Sequence, residues 1–438
     1  MYRERLTSTL TRGCDAFKVT ALANTWHTLC HHIHDAQNKW VVPHMPLTDE
    51  TPAPLPPTAR GPGPSQYPSR VCLLIGQLGL GGAEKQLVLL ARGLSARGIR
   101  THLLVMFEKG PREEELRDSG VSVVELGFGR RSPLWKSFVG NARAFARFVA
   151  FLRKERPQVL QAFLMHAYLM AAPAARLARV PVLVAGRRSL GFFKQGHRLA
   201  LALERVATRW TDFLVANAQA VADDVRSDEG VPEAKIAVIH NGMPQNEFEP
   251  VDPAEVDTLL PVVLCVANLA PHKGHRYLLE ACATLRRTQN PCTLVLIGDG
   301  PERSRLQQMA DRLEIDARFL GARTDVAGFL ARADVVVLPS LFEGSSNAVM
   351  EAMAVGLPVV ATAVGGTPEL LEGRGVLVAP ADATSLANGL HQVLGDQEAA
   401  AALGRRGREW AMANLTADVM VDRYVSLYRK LLEGRSSA

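Results

Sequence analysis

"FEGSSNAVMEAMAVGLPVV", residues 342–360, decides how the chain is read. Ahead of it, "DVVVLPSL" is a run of strand-forming residues that Pro339 stops. Gly344 loosens the following loop, and Ser346 or Asn347 is placed to cap a helix. That helix is expected to run to about Val355 and to stop at Gly356 and Pro358. The stretch therefore reads as strand, loop, helix, turn, strand. Glu343 falls in the loop, and Glu351, eight positions on, lies a little over one turn into the helix. A buried carboxylate is costly without a partner, so either both face water or something that needs them sits there. Capping does not explain Glu351: a capping box needs Glu or Gln three residues after the cap, where this chain has Val349 or Met350. What the loop does offer is free amide N–H groups at the positive end of a helix dipole, a seat for an anion.

The same alternation extends in both directions. Towards the C-terminus of the chain, "VVLCVANL", "CTLVLIGDG", "ARFLG" and "DVVVLPS" are apolar runs separated by helical stretches such as "HRYLLEACATLRR". From Val71 onward, "VCLLI", "THLLVMF", "VSVVEL", "QVLQAF", "PVLVAG" and "DFLVAN" alternate in the same way. Strands alternating with helices predict parallel βαβ units, and nearly all-apolar strands suit sheets covered on both faces. A polar, proline-bearing break, "MPQNEFEPVDPAEVDTLLP", divides the chain into two such units. The expected organisation is an extension over 1–69, a first α/β domain over 70–248, a second over 249–415, and a C-terminal helix over 416–438. Two such domains joined by a hinge leave a cleft, with ligands at the carboxyl ends of the strands. The amphipathic "TADVMVDRYVSLYRKLLEG" is expected to close back on the first domain, with Val419, Tyr424, Leu427, Tyr428 and Leu431 on one stripe.

Composition narrows the class. The 438 residues are 47% hydrophobic and 21% charged, which fits two globular domains. No apolar run reaches the length of a transmembrane helix, and the start has no signal-peptide core, so a cytoplasmic protein is expected. The six cysteines form no CxxC pair and read as free thiols. A net charge of +6 favours anionic partners. The basic residues are dispersed without a nucleic-acid-binding motif, so nucleic acid is not expected among them. In 1–69, a cluster of His27, His31, His32, His34 and His44 precedes the Pro-rich "TPAPLPPTARGPGPSQYPSR", read as a linker without chemistry.

Two further segments carry chemistry. In "VANLAPHKGHRYLLEA" a loop brings His272, Lys273 and Gly274 from a strand end into a helix, where a lysine reaches a phosphate as a point charge. In "GQLGLGGAEKQL", Gly79, Gly81 and Gly82 lie between a strand and its helix. They match neither the dinucleotide fingerprint, since Glu84 stands at its third glycine, nor a P-loop, since Lys85 lacks the spacing. What remains is either an ordinary tight turn or a backbone able to approach a ligand closely.

Together these segments resemble the family-4 group of retaining glycosyltransferases, which have the GT-B fold of two Rossmann-like domains facing across a cleft. Glu343 and Glu351 match that family's E-x7-E motif, followed by its EAMA-x-G-x-PVVA and GG-x-x-E runs. "GLGGAEKQL", "VANLAPHKGH", "LIGDGPERSRLQQMA", "FLGARTDV", "VANAQAV" and "IHNGM" fit as well, so that the resemblance covers 71–433 and leaves 1–69 unmatched. It implies a nucleotide-sugar donor, with Glu351 on the ribose hydroxyls and Glu343 on the donor sugar. The amides of Gly344, Ser345, Ser346 and Asn347, with Lys273, would hold the distal phosphate, and Gly81 and Gly82 would close on it from the other domain. Asn268 and Gly298 line the same loops. No cofactor and no metal are implied, because a lysine and fixed N–H dipoles meet the leaving-group charge. The two-carboxylate glycosidase reading does not fit a loop built for phosphate.

Departures from the family pattern set the open points. Asn268 stands where the family often has Arg; Arg323 or Arg303 would replace that cation, or both are solvated. Phe163 stands where the family often has His, and His166 three residues later either contacts donor or acceptor, as a catalytic-site residue, or makes a local bond at a helix start. Arg187 and Arg188, in "AGRRSLGFFKQGHR", either hold an acceptor phosphate or touch an anionic membrane, or belong to a solvated loop. "RRSPLWKSFVGNARAFARFVAFLRK" is either a membrane-surface helix or one that faces the sheet. The expected acceptor is a carbohydrate, lipid-linked or a growing polysaccharide, at the inner membrane face. Two rivals share the fold: a nucleotide-sugar epimerase and a non-catalytic nucleotide-sugar-binding partner.

Overall fold

The computed structural model describes residues 68–129, 134–189, 191 and 198–436. Cys14, Cys30, the histidine cluster, the Pro-rich stretch up to Tyr67, and Phe192, Phe193, Lys194 and His197 lie outside the described residues.

The first half forms a parallel sheet of seven strands: β1 (Arg70–Ile75), β2 (Arg100–Val105), β3 (Ser122–Glu125), β4 (Val159–Phe163), β5 (Val182–Arg187), β6 (Phe213–Ala216) and β7 (Ile236–Val238). Their order is β3-β2-β1-β4-β5-β6-β7, so the direction of winding reverses between β1 and β4. The helices are α1 (Gly82–Ala96), α2 (Leu134–Glu155), α3 (Met165–Ala178), α4 (Arg198–Trp210) and α5 (Gln219–Glu229). Side chains of a strand alternate faces, and β1 shows both being buried. Cys72 and Leu74 pack with Phe148 and Tyr168 of α2 and α3. Val71, Leu73 and Ile75 pack with Leu87 and Leu90 of α1 on the opposite face.

The second half repeats the plan with six parallel strands: β8 (Val262–Val266), β9 (Thr293–Ile297), β10 (Ala317–Gly321), β11 (Val335–Leu338), β12 (Val359–Thr362) and β13 (Val376–Val378). Here the order is β10-β9-β8-β11-β12-β13, with the reversal between β8 and β11. Its helices are α6 (His275–Arg287), α7 (Arg303–Leu313), α8 (Val326–Arg332), α9 (Asn347–Val355), α10 (Thr367–Leu371), α11 (Ala383–Gly395) and α12 (Gln397–Asn414). Leu264 packs with Met350 and Met353 of α9, whereas Val263 and Cys265 pack with Leu278 of α6 and Leu386 of α11.

The last helix, α13 (Ala417–Ser436), returns to the first domain. Met420, Val421, Tyr424, Val425 and Tyr428 are buried in the core that β1 shares with α1. Its buried stripe includes the expected Tyr424 and Tyr428, while Val419 is half-buried beside it. The chain crosses between domains twice, and the crossings pair: the Met243 amide donates to the Leu415 carbonyl and the Ala417 amide to the Met243 carbonyl, both at 2.7 Å. Cys72, Cys265, Cys282 and Cys292 are buried and free. No helix among the described residues is long and apolar enough to cross a membrane.

Candidate active site

The two carboxylates sit at the reversal point of the second sheet, where strand ends diverge and leave a crevice. After β8, Pro271–Lys273 form a single 3-10 turn, and Gly274 takes a left-handed φ of 67° before α6 begins. A side chain at Gly274 would collide with the Pro339 carbonyl beyond β11, so glycine lets the two loops touch. The Leu341 amide then donates to the His272 carbonyl at 2.8 Å and pins the loops together. Lys273 Nζ reaches Glu343 Oε1 at 2.5 Å, and Ser340 Oγ donates to the same oxygen at 2.8 Å. Glu343 is thus well buried, with 9% of its side chain exposed, and its charge is met by Lys273.

The α9 helix begins as its sequence suggests. Ser346 is the cap, its Oγ accepting from the Val349 amide at 3.4 Å, and Gly356 ends the helix at φ 81°. Glu351 lies on its second turn, and Lys85 Nζ, from the first turn of α1, lies 2.8 Å from Glu351 Oε1. The same ammonium is 2.7 Å from Glu247 Oε1, in a turn (Gln245–Phe248) of the segment crossing between domains. Each carboxylate of the E-x7-E pair therefore has its own lysine, one from each domain.

At four of the expected glycines a neighbouring group comes close enough to leave little or no room for a side chain. A Cβ on Gly82 would come within 2.8 Å of Asn347 Nδ2, so the first domain's glycine loop rests on the start of α9. A Cβ on Gly344 would come within 2.7 Å of the Arg188 carbonyl oxygen. Gly81 is covered by the Glu84 carboxylate. Gly298, at φ 138°, donates its amide to the Gly321 carbonyl at 2.8 Å and has no room for a side chain beneath Ala267, next to Asn268. Asn268 itself is exposed at the end of β8. Burial first, and then the Lys273 charge, lower His272 and push His275 down to about 4, so neither imidazole adds positive charge at neutral pH.

The arginines fall elsewhere. Arg187 is buried inside the first domain, with its guanidinium 3.0 Å from Glu229 Oε2, donating to Thr208 Oγ1 at 2.9 Å and stacked 3.8 Å over the Tyr168 ring. It is committed to those partners and is not at an acceptor surface. Arg188 lies at the domain junction: it donates to Asn241 Oδ1 and, at 3.1 Å, to the Tyr424 hydroxyl, while Asn241 Nδ2 donates to Asn347 Oδ1 at 3.0 Å. Arg323 is exposed and bidentate on Asp325 at 2.7 and 2.5 Å, and Arg303 donates to the Phe319 carbonyl at 3.0 Å. Neither joins Lys273 as a second cation. His166 is half-buried in the first turn of α3, just past the carboxyl end of β4. Leu164 before it takes φ 69° and ψ 158°, a conformation nearly restricted to glycine, of a kind that clusters at ligand sites.

Sequence reasoning passed over Leu164 and gave no site role to Lys85, weighed only as a P-loop lysine, to Asn241 inside "IHNGM", or to Glu369 at the end of the GG-x-x-E run; what marks these three is a partner in the other domain. Glu369 of α10 accepts from the Ala220 amide at 3.1 Å, so a second-domain carboxylate caps α5 of the first.

Two doubly wound domains that meet over the capped start of α9, with Glu343 ahead of it and Glu351 within the helix, have the architecture of a GT-B glycosyltransferase. The comparisons with known proteins agree. Residues 80–246 match the model described as Glycosyltransferase Family 4, and residues 260–396 match that of Glycosyl transferases group 1. A glycogen synthase of Mycobacterium tuberculosis is 31% identical over 77% of this chain and 84% of its own. The lipopolysaccharide core biosynthesis glycosyltransferase LpsE of Rhizobium meliloti is 28% identical over 79% of this chain and 95% of its own. Among solved structures, that of Anabaena HepE in complex with UDP-glucose superposes with a TM-score of 0.70 at 23% identity, covering 84% of this chain and 100% of that one. The chain belongs to glycosyltransferase family 4.

Proposed function

We propose that the protein transfers a sugar from a nucleoside-diphosphate sugar to a hydroxyl acceptor with retention of anomeric configuration. The observation that carries this is the α9 start, with Glu343 on Lys273 at one end, Glu351 on the helix face, and the Gly81–Gly82 loop resting on Asn347 between them. The diphosphate lies on the amides of Gly344, Ser345, Ser346 and Asn347 with Lys273 beside it, next to Asn268. Glu351 accepts from the ribose hydroxyls and Glu343 from the sugar. As the bond from the anomeric carbon to phosphate oxygen breaks, the new charge on that phosphate is stabilised by groups already in place. The acceptor oxygen bonds the anomeric carbon on the same face, and its proton passes to the departing phosphate oxygen. His166 stands on the acceptor side. This reading uses no metal, and activity retained in chelator tests that part.

The acceptor we infer is a lipid-linked or growing polysaccharide at the inner face of the cytoplasmic membrane. Supporting it, the first domain exposes Leu177, Val206 and Trp210 (50, 44 and 43% exposed) beside the exposed Arg153, Arg205 and Arg209. Such an apolar and basic surface suits anionic lipid. Sedimentation with anionic vesicles, lost in Trp210→Ser, tests the membrane contact.

Thermal shift against UDP, GDP and ADP, then their sugars, identifies the donor. Nucleotide release measured with and without acceptor separates the readings: a transferase releases it on transfer, an epimerase converts donor without acceptor, and a binding partner does neither. If Glu351→Ala and Lys273→Ala both keep full activity, the site assignment is wrong.

A further inference from the structure

Lys85 stands apart from the machinery inferred above, yet it contacts one of its carboxylates across the domain boundary. Its ammonium bridges Glu247 Oε1 at 2.7 Å and Glu351 Oε1 at 2.8 Å. All three side chains are about four-fifths buried. The three residues come from the first domain, the crossing segment and the donor helix. Surface ion pairs of long side chains count for little, but this one is partly buried, and two carboxylates share one cation.

Resting on the proposed donor site, we propose that Lys85 is the positioning residue for Glu351: it engages one carboxylate oxygen, fixes the orientation of the group beside Glu247, and leaves the other oxygen for the ribose hydroxyls. A ribose hydroxyl donates, so Glu351 must accept, and only the carboxylate accepts at both oxygens. Two carboxylates sharing a site resist joint ionisation unless a cation lies between them. Burial, partly offset by Lys85, raises Glu247, and the Glu351 charge raises it further. Without Lys85, Glu247 takes up a proton more readily. The other charged groups nearby are Glu84 on α1, Arg112 acting on Glu84 and Glu247, and Arg408 of α12, which is bonded to the Ala354 and Phe248 carbonyls. Because Lys85 belongs to the first domain, Glu351 is fully oriented only when the domains meet, which ties donor affinity to closure.

The test is calorimetric titration with whichever of UDP, GDP and ADP binds the full-length protein, at pH 8. Lys85→Met is expected to weaken binding about tenfold, the loss of a charge-assisted contact that orients the carboxylate. Donor KM rises with it, while kcat stays within about threefold, the pattern of lost ground-state binding. Lys85→Gln, which donates without charge, recovers part of the binding, and keeps the test open if the methionine variant fails to fold. Lys85→Arg restores it in full. Wild-type affinity in Lys85→Met, or an arginine variant no better than methionine, overturns the inference. If Glu351→Gln weakens binding but Lys85→Met does not, the inference falls alone. If no diphosphate binds the wild type, it falls together with the proposed donor site.

Discussion

Replacing Glu369 with alanine tests whether the contact between the domains is held by a helix cap supplied across the cleft. The α5 helix starts after Ala218, which offers no side-chain cap of its own, and Glu369 of α10 takes that role from the second domain. Within its own domain, Glu369 contributes its backbone carbonyl to Arg374 at 2.8 Å, which substitution leaves in place. Losing a cap to alanine costs about 1–2 kcal/mol. Here that cost falls on the joined form, since the contact exists only when the domains meet. It lowers the ratio of joined to separated forms by roughly five- to thirtyfold. The apparent affinity for a ligand that needs both domains weakens by at most the same factor, in proportion to the joined fraction lost. Small-angle scattering reads the change as a larger radius of gyration, and calorimetry reads it as weaker diphosphate binding. Glu369→Gln keeps an acceptor oxygen and recovers most of the effect. An alanine variant with unchanged scattering and unchanged affinity refutes the reasoning. So does one whose first domain alone loses the whole 1–2 kcal/mol.

Three further outcomes are expected. Gly344→Ala drives a Cβ to 2.7 Å from the Arg188 carbonyl oxygen, and should cut kcat/KM by about tenfold or more while moving the urea midpoint little. Lys273→Met leaves the well-buried Glu343 charge with only Ser340 and should cost about 3 kcal/mol in urea unfolding; adding Glu343→Gln should return most of it. Glu204, buried near Arg187, is pushed up from 4.5 to about 9 by burial and then by Glu229, Asp228 and Asp224. The fold therefore holds a proton that the unfolded chain releases above 4.5, so this group's contribution to stability falls as pH rises towards 9. Between pH 7 and 9, clear of the buried histidines, Glu204→Gln should remove a downward slope of about 1.4 kcal/mol per pH unit from urea-derived stability.

What was legible in the sequence was what local pattern encodes. The apolar strand runs, the Ser346 cap and the Gly356 stop are each decided within a few residues, and they place Glu343 and Glu351 correctly in loop and helix. Charged side chains are a different case, because a guanidinium or ammonium reaches far and its partner is chosen by the tertiary fold. Arg187 reads as a surface cation in "AGRRS" but ends up between Glu229 and Tyr168, since β5 carries it into the first domain's interior. Arg323 looks like a spare phosphate ligand but finds Asp325 two residues away. Lys85 and Glu351 are 266 positions apart, a pairing that no local window contains.

The return of α13 also sets an order of assembly. The first domain is made first, yet its core needs Tyr424 and Tyr428, which emerge after the whole second domain. The second domain's sheet and helices, by contrast, occupy one uninterrupted stretch from Val262 to Asn414. Domains generally fold as units during synthesis. A nascent chain arrested with residues up to Asn414 outside the ribosome should therefore carry a protease-resistant second domain. The first domain, lacking α13 over α1, should still be cleaved until Tyr428 has emerged. Timed proteolysis of such chains would expose this inversion, in which the half translated earlier is the half completed last.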